Sequence, residues 1–125
     1  KLQEGIPADI TTFKSKLAAA KSVIIATPEY SHNIPAVLKN MLEWCTHSGE
    51  LADKYVLPIT FTPKEPRGEF AMQSLLMTLQ TLKAKVVSQF PLYKTDVQEE
   101  HQQIILPDET REMISESLKL LVLKN

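Results

Sequence analysis

The chain has 125 residues, 43% of them hydrophobic and 23% charged, with a formal net charge of -1, which suits one domain with a real core. That balance argues against nucleic acid or an anionic membrane surface as partner, and the single cysteine, Cys45, excludes an intrachain disulfide framework. No apolar run approaches the roughly 20 residues that span a bilayer, and the opening "KLQEGIPADI" lacks the pattern of a secretory leader, so a cytoplasmic location is expected.

In chain order, Ile6 to Lys21 reads as a helix, with Pro7 in its first turn and Ile10, Phe13 and Leu17 at helical spacing. Ser22 to Ala26, "SVIIA", is a β-branched run without alternation, the mark of a strand buried on both faces. "TPEYSHNIP" follows, with more hydrogen-bonding and aromatic groups than a connector needs. Ile34, Val37, Leu38, Met41, Leu42 and Cys45 then form one apolar stripe on a helix that Asn33 can cap. Tyr55 to Phe61 is the second strand candidate, weakened by Pro58, which cannot donate to a ladder. After the loop "TPKEPRGE", Met72, Leu75, Leu76, Leu79 and Leu82 mark a third helix. Lys85 to Phe90 reads as a third strand, "PLYKTDVQEEHQQ" as irregular, and Asp108 to Leu123 as a fourth helix with Met113, Ile114, Leu118 and Leu121 inward.

The order α-β-α-β-α-β-α implies one α/β domain over residues 1–125, a parallel sheet with helices on both faces. Ligands bind beyond the carboxyl ends of the strands in such sheets. Three segments leave strand ends, Thr27–Asn33, Thr62–Glu69 and Pro91–Asp96. The first two should lie close together if their strands are neighbours.

"TPEYSHNIPAVLKNMLEW" resembles the signature of the NADPH-dependent FMN reductase family, T-P-E-Y-N-x-S-I-P-x-x-L-K-N-x-x-D-W. Thr27, Pro28, Glu29, Tyr30, Ile34, Pro35, Leu38, Lys39, Asn40 and Trp44 stand in matching positions. Ser31, His32 and Asn33 depart from the usual asparagine, small residue and serine, and the second loop, usually glycine-rich, holds only Gly68. The resemblance implies a flavodoxin-like three-layer fold and FMN as cofactor, reduced by NADPH or NADH. It also implies a homodimer or homotetramer passing electrons to a small acceptor such as a quinone, azo compound, metal oxyanion or free flavin. The family normally begins with a strand and a phosphate-holding G-S-x-R-x-x-S-x-N loop that these residues do not contain. The chain is therefore expected to be N-terminally incomplete, with an apolar sheet edge at "SVIIA" that a central strand would cover.

The resemblance implies that the flavin ring rests against Pro28, Glu29, Tyr30, Ser31, His32 and Asn33. In the second loop Thr62, Lys64, Arg67 and Gly68 are the candidates. Backbone N–H groups beside a helix N-terminus can donate to the ring's acceptors and stabilise the reduced ring's negative charge. Tyr30 offers an aromatic surface, Asn33 a donor, and Glu29 an acceptor that could orient the loop. Hydride transfer to a flavin needs no protein acid or base, so no residue is assigned a catalytic role. Cys45 on the apolar stripe reads as a buried, inert thiol, and Trp44 as a core or subunit contact. His32 reads as a solvent-facing loop residue or one near the flavin edge. His47 and His101 lack metal-ligand spacing, so no metal site is expected. The alternative is a flavin-binding or non-catalytic interaction module with an incomplete cofactor site.

Overall fold

A computed structural model describes residues 5–124. Its elements are α1 (Ala8–Ala19), β1 (Ser22–Thr27), α2 (Ala36–Glu43), β2 (Tyr55–Thr62), α3 (Glu69–Thr81), β3 (Lys85–Val86), β4 (Phe90–Tyr93), β5 (Gln98–Glu100), β6 (Gln103–Ile105) and α4 (Asp108–Leu123). β2 is central. It pairs in parallel with β1 on one side and with β3 and β4 on the other.

Two apolar layers cover the sheet. On one face α1, α2 and α3 bury Leu42, Cys45, Ala71, Leu75 and Leu79 against Val23, Ile25 and Val56. On the other, Leu121 of α4 meets Leu57 and Phe90, with Ile59 and Ile114 at the margin. Helices therefore lie on both faces, as the alternating pattern predicts. Among the described residues β1 pairs only with β2, and the strand is not buried on both faces as expected: Ile24 is 50% exposed and Ala26 is exposed too, because this edge has no described neighbour. No described helix is long and apolar enough to cross a membrane.

Several expectations are corrected. Pro58 does not weaken β2, where it is fully buried. It breaks the neighbouring strand instead. Tyr55 and Val56 pair with Lys85 and Val86, and pairing resumes at Ile59 with Phe90, so Leu57 and Pro58 face Val87, Ser88 and Gln89. A proline without an N–H has no bond to offer there, and the extra residue bulges. The expected strand Lys85 to Phe90 is thus two short strands, and β4 runs on into the segment read as irregular. That segment also holds an antiparallel hairpin, β5–β6, turned by His101 and Gln102 at φ 49° and 64°.

Two helical faces also differ. Val37 is 68% exposed, because the inward row of α2 is Leu38, Met41 and Leu42 and Val37 lies to one side of it. In α4 the inward face is Thr110, Ile114, Ser117 and Leu121, one helical row, which leaves Met113 and Leu118 exposed. Asn33 does not cap α2; Pro35 holds that position, and the Asn33 Oδ1 accepts the Ile34 N–H at 2.8 Å.

Candidate functional site

The carboxyl ends of β1 and β2 lie side by side, with Thr27 opposite Thr60. Both loops that follow are tied back by buried threonines. The Thr27 hydroxyl donates to the Pro28 carbonyl at 2.9 Å, and the Thr62 hydroxyl donates to the Arg67 carbonyl at 3.0 Å. A β-branched side chain fits the pleated strand, and its hydroxyl fastens the exit of the chain.

Tyr30 to Asn33 form a tight two-residue turn. The Tyr30 N–H donates to the Asn33 carbonyl at 2.8 Å, and the Asn33 N–H returns to the Tyr30 carbonyl at 2.9 Å. Ser31 and His32, between them, sit at φ 51° and 61°. Two positive φ values are the signature of the type I′ turn, which favours Asn-Gly and tolerates other residues at a cost. The turn projects from the strand end, leaving Tyr30 62% exposed and Ser31, His32 and Asn33 exposed as well. A groove of about 570 Å³, within the usual range for small-ligand sites, opens beside it between Tyr30, Ser31, Asn33, Lys39 and Ser74.

Two contacts join this turn to the start of α3. The Glu29 Oε2 accepts the Ala71 N–H at 2.9 Å. The His32 ring meets Phe70 edge to face, with centroids 5.0 Å apart and planes at 82°. The first two segments are therefore adjacent, as expected for neighbouring strands, and Glu29 accepts a backbone N–H as anticipated. His32 is exposed but not simply solvent-facing, since it leans on Phe70.

In the second loop the Arg67 N–H closes a turn on the Lys64 carbonyl at 3.0 Å, and both side chains are exposed. Gly68 is buried at φ 102°. A β-carbon there would lie 3.1 Å from the Thr60 Oγ1 and 3.2 Å from the Thr62 Cγ2. Only glycine suits that backbone and that space. The nearby Thr60 hydroxyl is buried and has no hydrogen-bond partner among the described residues.

Tyr93 was not among the sequence candidates. It ends β4 opposite Thr62. Burial first, and then the Glu65, Glu69 and Asp96 carboxylates, push its phenol above the usual tyrosine pKa. Its signal in the sequence was an aromatic residue at a strand's carboxyl end, hidden by the expectation that the strand stopped at Phe90. Away from this end, Cys45 is buried as expected, and Trp44 and His47 line a separate cavity of about 500 Å³ with Lys14 and Glu43.

Comparisons with known proteins agree with this architecture. The NADH:(hydroxy)cinnamate reductase subunit CrdA of Vibrio ruber is 51% identical over 55 residues, 43% of this chain and 27% of that protein. A quinone reductase of Escherichia coli strain K12 is 37% identical over 57 residues, 44% of this chain and 30% of that protein. The matched stretches thus span less than a third of either relative. The apo crystal structure of the NADH:FMN oxidoreductase EMOB superposes with a TM-score of 0.77 at 19% identity, over 94% of this chain and 60% of that one, and shows the shared fold. A family model described as NADPH-dependent FMN reductase matches residues 1–98, through the Tyr30 turn, the Gly68 loop and Tyr93. The chain belongs to the NADPH-dependent FMN reductase family.

Proposed function

We propose that this chain is part of an FMN-dependent NAD(P)H oxidoreductase whose flavin ring rests against the turn from Pro28 to Asn33. The observation that carries the reading is that turn: at a strand's carboxyl end it exposes Tyr30 and holds Ser31 and His32 outward. The N–H groups of Ser31 and His32 lie outside the turn's reciprocal pair and are the donors for the ring's carbonyl and nitrogen acceptors. Tyr30 offers an aromatic face, and the Asn33 amide nitrogen a further donor, since its Oδ1 is taken by Ile34. Lys64 and Arg67, exposed on the second loop, are in this reading the cations that meet phosphate groups. When bound, FMN supplies the hydride and electron chemistry, and the protein supplies position and electrostatics.

The acceptor in this reading is a small molecule. The related proteins named for quinones and hydroxycinnamates suggest an unsaturated or quinonoid compound. A single flavodoxin-like domain, a homodimer or homotetramer, and a cytoplasmic location complete the proposal. The test is a visible absorption spectrum of the full-length protein, followed by anaerobic NADPH. Flavin bands that bleach on addition are expected. A purified full-length protein that binds neither FMN nor FAD at micromolar levels would refute it, and flavin bands that persist would favour a binding module.

A further inference from the structure

We propose that Glu29 is a positioning residue, a cap supplied from the first loop to α3, that sets the spacing between the two loops flanking the flavin. This rests on the function proposed above. Helix α3 cannot cap itself. Its N-cap is Gly68, which has no side chain and is held to glycine by φ 102° and by Thr60 and Thr62. An N-cap serine or aspartate would normally accept the N–H two or three positions on. Counted from Gly68, the third is Ala71, whose N–H donates instead to Glu29, 42 residues earlier in the chain, at 2.9 Å. Ala71 is fully buried, so its N–H has no water to fall back on.

The carboxylate also sits at the positive end of the α3 dipole, where negative charge is favoured. Beside it, His32 touches Phe70, the preceding residue of the same turn. The first loop therefore grips consecutive residues of α3, one through a charged hydrogen bond and one through a ring contact. The Glu29 Oε2 is engaged within the protein, so its part is to hold Tyr30, Ser31 and Asn33 at a set distance from the Thr62–Gly68 loop rather than to touch the ring.

The experiment compares full-length wild type with Glu29→Ala, Glu29→Gln and Glu29→Asp. Three quantities are read: hydrogen exchange at the Ala71 amide, FMN dissociation, and the visible circular dichroism of bound FMN. A lost hydrogen bond to a charged group predicts that E29A exchanges Ala71 and releases FMN about tenfold faster or more, with an altered flavin spectrum. E29Q keeps an acceptor oxygen and restores most of each value. E29D, one methylene short, behaves like E29A, and serves if E29A does not fold. Lys54→Met, which loosens α1 far from both loops, controls for general destabilisation and leaves FMN release and spectrum unchanged. Wild-type FMN release and spectrum in E29A, or failure of E29Q to restore them, overturns the proposal. If wild type binds no FMN, the functional reading falls by itself, and the Ala71 exchange rates alone decide the cap: unchanged rates in E29A refute it.

Discussion

Replacing Gly68 by alanine tests the packing under the second loop. At φ 102° an L-residue is strained, by about 1–2 kcal/mol on the scale of left-handed backbone. The new methyl would also meet the Thr60 Oγ1 at 3.1 Å, the Thr62 Cγ2 at 3.2 Å and the Thr60 Cβ at 3.3 Å. None of these atoms yields easily. Both threonines are buried on the central strand, a Cβ moves only with its backbone, and the Thr62 rotamer is pinned by its bond to the Arg67 carbonyl. Overpacking of this kind costs a further 1–3 kcal/mol or so, giving about 2–5 kcal/mol in all. A typical domain has only about 5–15 kcal/mol to lose. Urea unfolding of the full-length protein, followed by far-ultraviolet circular dichroism, measures the loss. Thr62→Ser keeps the hydroxyl and removes the clashing methyl, so G68A should cost less in that background, with a coupling of about 0.5 kcal/mol or more. A G68A protein within about 0.5 kcal/mol of wild type, the range of an ordinary surface change, refutes the argument.

Other perturbations have defined outcomes. The Lys54 ammonium donates to the carbonyls of Leu17, Ala18 and Ala20 at 2.7, 3.0 and 2.7 Å, closing the carboxyl end of α1; Lys54→Met should cost about 2 kcal/mol in the same unfolding assay, and no loss refutes the cap. The Cys45 thiol is pushed up from 9.0 to about 11 by burial and then by the Glu50 charge, so at pH 8 its thiolate is about a hundredfold scarcer than in an unfolded chain; iodoacetamide should label it only on unfolding. The same shift makes stability fall as pH rises from 9.0 to about 11, because the unfolded thiol ionises first, with a slope near 1.4 kcal/mol per pH unit that Cys45→Ser abolishes. Ser31→Asn suits φ 51° and should stabilise by roughly 0.5–1 kcal/mol, while His32→Gly should be close to neutral because relief of strain offsets loss of the Phe70 contact.

What the sequence disclosed was local. "SVIIA" declares a strand through its β-branched side chains but not its burial, since Ile24 and Ala26 are exposed, and the run from Thr27 to Trp44 identifies its loop through fixed spacing. What it withheld depends on partners distant in the chain. The division of the third strand follows from Pro58, some thirty residues earlier and one strand over, so no inspection of Lys85 to Phe90 could reveal it. The β5–β6 hairpin turns on His101 and Gln102 without the glycine or asparagine that usually signals such a turn. Glu29 was legible as an acceptor, but its donor, Ala71, could be named only once β1 and β2 were neighbours.

Backbone strain by itself does not locate the site. Asp53 and Lys83, at the opposite end of the sheet, also have φ of 63°. Each has a structural reason there: Lys83 follows the end of α3, where a left-handed residue commonly stops a helix, and its carbonyl accepts the Asp53 N–H at 2.8 Å. The carboxyl end of β1 and β2 adds a buried cost to an exposed one. Left-handed Ser31 and His32 sit side by side, a pairing also found at the His101–Gln102 hairpin tip, and close by the buried Thr60 hydroxyl has no hydrogen-bond partner among the described residues. Ser31 and His32 would be easier as Asn-Gly, and Thr60 would pack as well as valine without the cost of an unmet hydrogen bond. Neither cost is required by the two apolar clusters, which are built from other side chains. An unmet buried hydroxyl beside a strained turn, at the strand ends of an α/β sheet, is the pattern expected where residues answer to a ligand as well as to packing.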